Sequence, residues 1–116
     1  MVSNLAQLHI VDPRIQSELE LVGGPDLLLR LVRMFFDDSS TLLSTIDTAR
    51  ASGDAPSVAK AAHRLKGGAA AVGAQRVAAL AAHIENVAKA DGVGALDEVR
   101  TSLDSEMSAL QAAFAS

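Results

Sequence analysis

Ala62-His63-Arg64-Leu65-Lys66-Gly67-Gly68 lies in an alanine-rich stretch whose apolar residues recur at helical spacing. Val58, Ala62, Leu65, Ala69 and Val72 follow the three-and-four rhythm of a buried helix face. His63, Lys66, Gly67 and Ala70, at i, i+3, i+4 and i+7, share a different face that carries a histidine, a cation and then almost no bulk. The imidazole is therefore expected outside the core. Each interior glycine weakens a helix by about 0.8–1.0 kcal/mol relative to alanine, so the pair gives up roughly 2 kcal/mol of a domain stability of about 5–15 kcal/mol. That loss implies that something approaches this helix closely. Successive residues point about 100° apart, so one glycine can serve helix packing while the other stays on the histidine face.

Working outward, Asp54 and Pro56 give an N-cap and a first-turn proline for the histidine helix, which is expected to run to about Val72 before Gly73 breaks it. The next helix begins at once, with Val77, Leu80, Ala81, Ile84, Val87 and Ala88 as its seam, and stops at Asp91-Gly92. A last helix packs through Leu96, Val99, Leu103, Met107, Leu110 and Phe114. Upstream, Asp12-Pro13 starts a short helix over 12–22, with Ile15, Leu19 and Val22 inward, that ends at Gly23-Gly24. Pro25 then opens a long helix to about Ala51, with Leu28, Leu31, Phe35, Leu42, Ile46 and Ala49 inward. Helices joined by connections of a few residues fold back on their neighbours. The expected fold is all-α: an antiparallel up-down four-helix bundle over 25–114, with a short extra N-terminal helix and a tail over 1–11. No strand pattern, repeat or low-complexity linker interrupts it.

The 116 residues suit one domain, 1–116, that needs no metal or disulfide staple. With no cysteine there is no disulfide framework, thiolate metal site or cysteine nucleophile. No apolar run approaches the roughly 18 residues of a membrane span, and the start of the chain lacks a signal-peptide pattern, so a cytoplasmic location is expected. A net charge of −4 and three Phe with no Tyr or Trp argue against nucleic acid as a partner.

A neutral imidazole is a nucleophile that can accept a phosphoryl group on one ring nitrogen while a hydrogen bond holds the other. Lys66 would attract the phosphate oxygens and disfavour the imidazolium. No Asp or Glu lies between Pro56 and Ile84, and no glycine-rich phosphate loop is present, so no cofactor is expected on this chain. Any magnesium and its carboxylates would belong to a partner.

The run from Ala62 to Gly68, with Gly73 ten residues after the histidine, resembles the histidine-containing phosphotransfer (HPt) domain of bacterial phosphorelays. Gly24-Pro25, the Gly53-Asp54 turn and the Leu80 to Glu85 seam extend the resemblance over all but the first ten or so residues. It implies a carrier, not an enzyme, that takes a phosphoryl group on His63 from the phospho-aspartate of one receiver domain and passes it to the aspartate of another. By the same resemblance Lys66 supports the phosphoryl group, Gly67 allows close approach and Glu85 orients the imidazole. A carboxylate at 85 also favours a charged imidazole, against the effect of Lys66, and the sequence leaves that balance open. The partners implied are receiver domains of response regulators and hybrid kinases. A monomer is the simplest state, and the chain reads as free-standing rather than excised from a kinase. An alternative is an HPt-shaped adaptor that binds a kinase or receiver without carrying phosphate.

Docking is expected on the His63 face, through small residues such as Ala59 and Ala70, over about 1,600 Å² or less and with micromolar affinity. His83 is assigned to the edge of the core rather than to a metal site, because no inward carboxylates accompany it, and His9 falls in the unassigned tail. Arg64 and Arg76 either lie over apolar surface or meet a partner's acids. Asp37-Asp38 reads as solvated helix surface.

Overall fold

The computed structural model describes residues 4–115; the first three residues of the expected tail, and the last residue of the chain, lie outside the described residues. A single 3-10 turn, Leu5–Gln7, precedes four helices: α1 Pro13–Ala51, α2 Ala55–Ala71, α3 Gln75–Asp91 and α4 Asp97–Ala115. No described helix is long and apolar enough to cross a membrane.

Local chemistry sets the helix starts. Asp12 caps α1 by accepting from the Arg14 N–H at 2.9 Å, with Pro13 at the first helical position, where a missing N–H costs nothing. Asp54 caps α2 in the same way, accepting from the backbone N–H of Ser57 at 3.2 Å and from its hydroxyl at 2.5 Å. The Ser57 hydroxyl and N–H hold the Asp54 carboxyl below the usual carboxylate range.

Cross-helix contacts show the antiparallel order. Phe35 of α1 stands against Gly68 of α2. His63 and Lys66 of α2 reach Glu85 of α3, and Arg76 early in α3 lies 3.8 Å from Glu106 late in α4. Phe36 meets Phe114 edge-on, while Arg100 at the start of α4 pairs with Asp47 near the end of α1 at 2.9 Å. The bundle is thereby closed on α1 and α4 by aromatic and charged side chains.

The core is built from Val58, Ala62, Leu65, Ala69 and Val72 of α2 and its connection, from Val77, Leu80 and Ile84 of α3, and from Leu96, Leu103 and Leu110 around α4, all essentially sealed from water. Complete burial of a Leu such as Leu65 contributes about 1.5–3 kcal/mol, and it fixes how α2 is turned about its axis. With that face inward, His63 must face outward.

Two expectations need correction in α1. The expected division itself is present: the short N-terminal helix ends at a kink at Gly24, whose φ of 72° suits glycine alone, and Pro25 starts the long helix, so α1 is two helices joined end to end. Val22, expected inward, is 81% exposed in the last turn before that kink. Beyond it the buried positions are Leu28, Val32, Phe35, Ser39, Ile46 and Ala49, with Leu31 and Leu42 only half-buried. Ser39 takes an inward place because its hydroxyl donates to the Phe35 carbonyl at 2.6 Å, which leaves no buried polar atom unpaired there.

The segment before α1 is tied down rather than loose. Asp12 N–H donates to the Gly73 carbonyl at 2.7 Å, and the Asp12 carboxylate accepts from Gln75 Nε2 at 2.9 Å. Gly73 combines a φ of 79° with a close approach, since a Cβ there would stand 3.1 Å from the Ile15 Cβ and 3.2 Å from the Asp12 nitrogen. Arg76, which the sequence assigned to apolar surface or a partner's acids, instead donates to the carbonyls of Leu8 at 2.8 Å and Ala6 at 3.4 Å.

Candidate functional site

Helices α2 and α3 pack closely, and one stripe of α3, Ala81, Glu85 and Ala88, is buried although its middle residue is acidic. The Glu85 side chain is only 8% exposed, which demands partners for both oxygens. Lys89 Nζ, one turn along α3, donates to Oε2 at 2.9 Å, and Lys66 Nζ of α2 donates to Oε1 at 3.2 Å. The remaining contact is the imidazole, with His63 Nδ1 3.1 Å from Oε2 and 3.3 Å from Oε1.

These contacts define the charge states. The Lys89 hydrogen bond, supported by those from Lys66 and His63 and opposed by burial, holds the Glu85 carboxyl down to about 2. At neutral pH Glu85 is therefore ionised and can only accept hydrogen bonds. Nδ1 must carry the ring proton, so in the neutral tautomer the free lone pair belongs to Nε2. The ring is 63% exposed. A buried carboxylate thus holds one nitrogen of a ring that is otherwise open to solvent.

The two glycines separate as their angular spacing requires. A Cβ on Gly68 would lie 3.3 Å from Phe35 Cδ1, so that glycine admits α1. A Cβ on Gly67 would meet nothing within 4 Å, so Gly67 leaves open space one turn from His63. Lys66, expected one turn from the ring to attract phosphate oxygens, is bonded to Glu85 in this structure. The two residues whose influences on the imidazole were expected to oppose each other are joined to each other.

Beside the ring, α2 and α3 enclose an open groove with Pro56, Ala59 and Ala88 among its lining and Lys60, Arg64 and Lys89 at its polar positions. Ala59, expected as an exposed docking residue, is buried at 5% exposure because α3 packs against it, whereas Ala70 is exposed as expected. His83 is half-buried on α3 and does not line this groove, and His9 lies away from it with its N–H bonded to Gln75 Oε1 at 3.0 Å. Among the described residues no three His, Cys, Asp or Glu side chains cluster as a metal site would need.

Lys89 is the member of this site that the sequence reading missed. Its spacing of four from Glu85 was a visible sign, since a Glu followed by Lys at i+4 pairs on a helix surface. Lys60 also went unrecognised as a neighbour of the ring, although it stands three residues before it, while Arg64, assigned to apolar surface or a partner's acids, lines the same groove.

Residues 30–113, most of the chain, match the family of the Hpt domain. Searches of curated proteins and of solved structures find no match.

Proposed function

The chain belongs to the Hpt domain family, whose members are phosphocarrier modules working with receiver domains and kinases in two-component signalling, and from that premise we propose that it relays a phosphoryl group between two receiver domains through His63. The observation that supports this reading most is the Glu85 contact, which assigns the proton to Nδ1 and leaves Nε2 on an exposed ring beside an open glycine.

In the proposed step the Nε2 lone pair attacks the phosphorus of an aspartyl phosphate. The N–P bond forms as the P–O bond to the acyl oxygen breaks, and the aspartate leaves as a carboxylate with that electron pair. No proton moves, because Nδ1 keeps its hydrogen. The product ring carries a positive charge that the Glu85 carboxylate faces at about 3 Å. Transfer to the second receiver is the same exchange run backwards. Lys66 and Lys89 offset the charge of Glu85, and we assign Lys66, one turn from His63, to the arriving phosphoryl oxygens.

Gly67 provides the clearance that lets a receiver bring its aspartate to the ring. The magnesium ion and the acids that hold it are assigned to the receiver, which leaves this chain as a carrier without ATP or metal chemistry of its own. We assign it a cytoplasmic location and a monomeric state with transient contacts, because each partner must leave before the next can bind.

The test is to incubate the protein and its His63→Gln variant with a panel of purified, phosphorylated receiver domains. A relay becomes labelled by one or a few receivers, and the variant stays unlabelled and loses signalling in cells. An adaptor stays unlabelled, and its variant keeps its cellular activity.

A further inference from the structure

Charge is unevenly placed on this molecule. The chain has a net charge of −4, yet between Ala55 and Ala71 it carries Lys60, Arg64 and Lys66 and no acid. Lys60 and Arg64 are exposed and form no ion pair among the described residues, and both line the groove beside His63, with Lys89 from α3 on its other side. Asp38 of α1 shares a neighbouring hollow with Arg64 but makes no ion pair with it. Glu85, the one acid in the groove, is already held by Lys66 and Lys89. The groove therefore offers an apolar floor, from residues such as Pro56 and Ala88, bordered on the α2 side by two unneutralised cations, Lys60 and Arg64.

Such a surface fits a partner of opposite layout. Nucleic acid is disfavoured, because no aromatic side chain lines the groove for base stacking and the chain as a whole repels phosphate. Resting on the relay reading above, we infer that Lys60 and Arg64 steer and select receiver domains whose docking face is an apolar patch bordered by carboxylates. An acidic partner is repelled by the protein's net charge and attracted by these two cations, which favours encounters beside His63. Clefts of one charge sign raise association rates by 10- to 1,000-fold, and salt removes the effect as the screening length falls from about 10 Å at 0.1 M to about 3 Å at 1 M. Two isolated cations place this site near the lower end of that range.

The probe is the phosphorylated receiver domain that labels the wild-type protein fastest, used below saturation so that the transfer rate reports association. The wild-type rate is expected to fall about 10-fold between 0.05 and 0.5 M NaCl. The double variant Lys60→Glu/Arg64→Glu is expected to be at least about 10-fold slower at 0.05 M, with a flat or inverted salt response, and Lys60→Arg/Arg64→Lys to keep both the rate and the slope. A charge-reversed protein with the wild-type rate and salt slope overturns the inference while leaving the relay intact. A wild-type rate that ignores salt does the same. Absence of label on wild-type His63 at saturating receiver overturns both, and is told apart from the other outcomes by that measurement alone.

Discussion

Replacing Gly67 by alanine is predicted to make the protein more stable and less active at once. The added methyl meets nothing within 4 Å in the free protein, so the substitution creates no clash. It sits inside α2, where alanine is favoured over glycine by about 0.8–1.0 kcal/mol, which corresponds to a rise in melting temperature of roughly 4 °C for a domain of this size. The same methyl occupies the space one turn from the ring that a receiver must enter. Overfilling a packed contact costs about 1–3 kcal/mol, so transfer from a phosphorylated receiver is predicted to slow by roughly 5- to 150-fold. Gly68→Ala is the internal comparison. Its methyl would press on Phe35 at 3.3 Å, so the helix gain is offset by packing strain and the melting temperature should change little. Thermal denaturation followed by circular dichroism gives the first quantity, and rapid-quench labelling gives the second. A Gly67→Ala protein that is stabilised and transfers at the wild-type rate would refute the argument that this glycine exists for close approach.

Two further outcomes follow from the hydrogen bonds around Glu85 and Arg76. Because the Glu85 carboxyl is lowered from an ordinary value near 4.5 to about 2, its ionised contacts add stability that is fully present above about pH 4.5 and is lost as pH falls toward 2. Melting curves of wild type and Glu85→Gln should therefore converge over that window, and parallel curves would contradict the assignment. Arg76→Ala removes the donor to the part-buried Leu8 carbonyl and leaves half-buried Glu106 without its cation, so it should cost about 1–3 kcal/mol in chemical denaturation. A loss below about 0.3 kcal/mol would show that the N-terminal segment is not clasped through this side chain.

The parts of the molecule legible in the sequence were those governed by period and capping. Val58, Ala62, Leu65, Ala69 and Val72 share a helix face whatever packs on it, so the outward placement of His63 followed from spacing. Asp12, Asp54 and their prolines marked two helix starts for the same local reason. What escaped depended on how separate elements meet. Ser39 was absent from the expected inward stripe because a hydroxyl gives no apolar signal, and its own helix satisfies it inside. Spacing does not tell which turn before a kink loses its cover, so Val22 was placed inward. The role of Arg76 depended on where the tail runs, and the joining of Lys66 to Glu85 depended on the register of α2 against α3. The Gly67-Gly68 pair lies between these cases: the place of Gly67 on the histidine face was legible, but that Phe35 is the neighbour Gly68 admits was not.

The proposed relay passes through one atom, Nε2 of His63. Label the protein from a phosphorylated receiver, map the modified residue by tandem mass spectrometry, and assign the phosphorylated nitrogen from one-bond and long-range proton–nitrogen NMR correlations. The expected result is phosphate on Nε2 of His63, a proton retained on Nδ1, and no phosphate on His9 or His83. Phosphate on Nδ1, or on another residue, would contradict it.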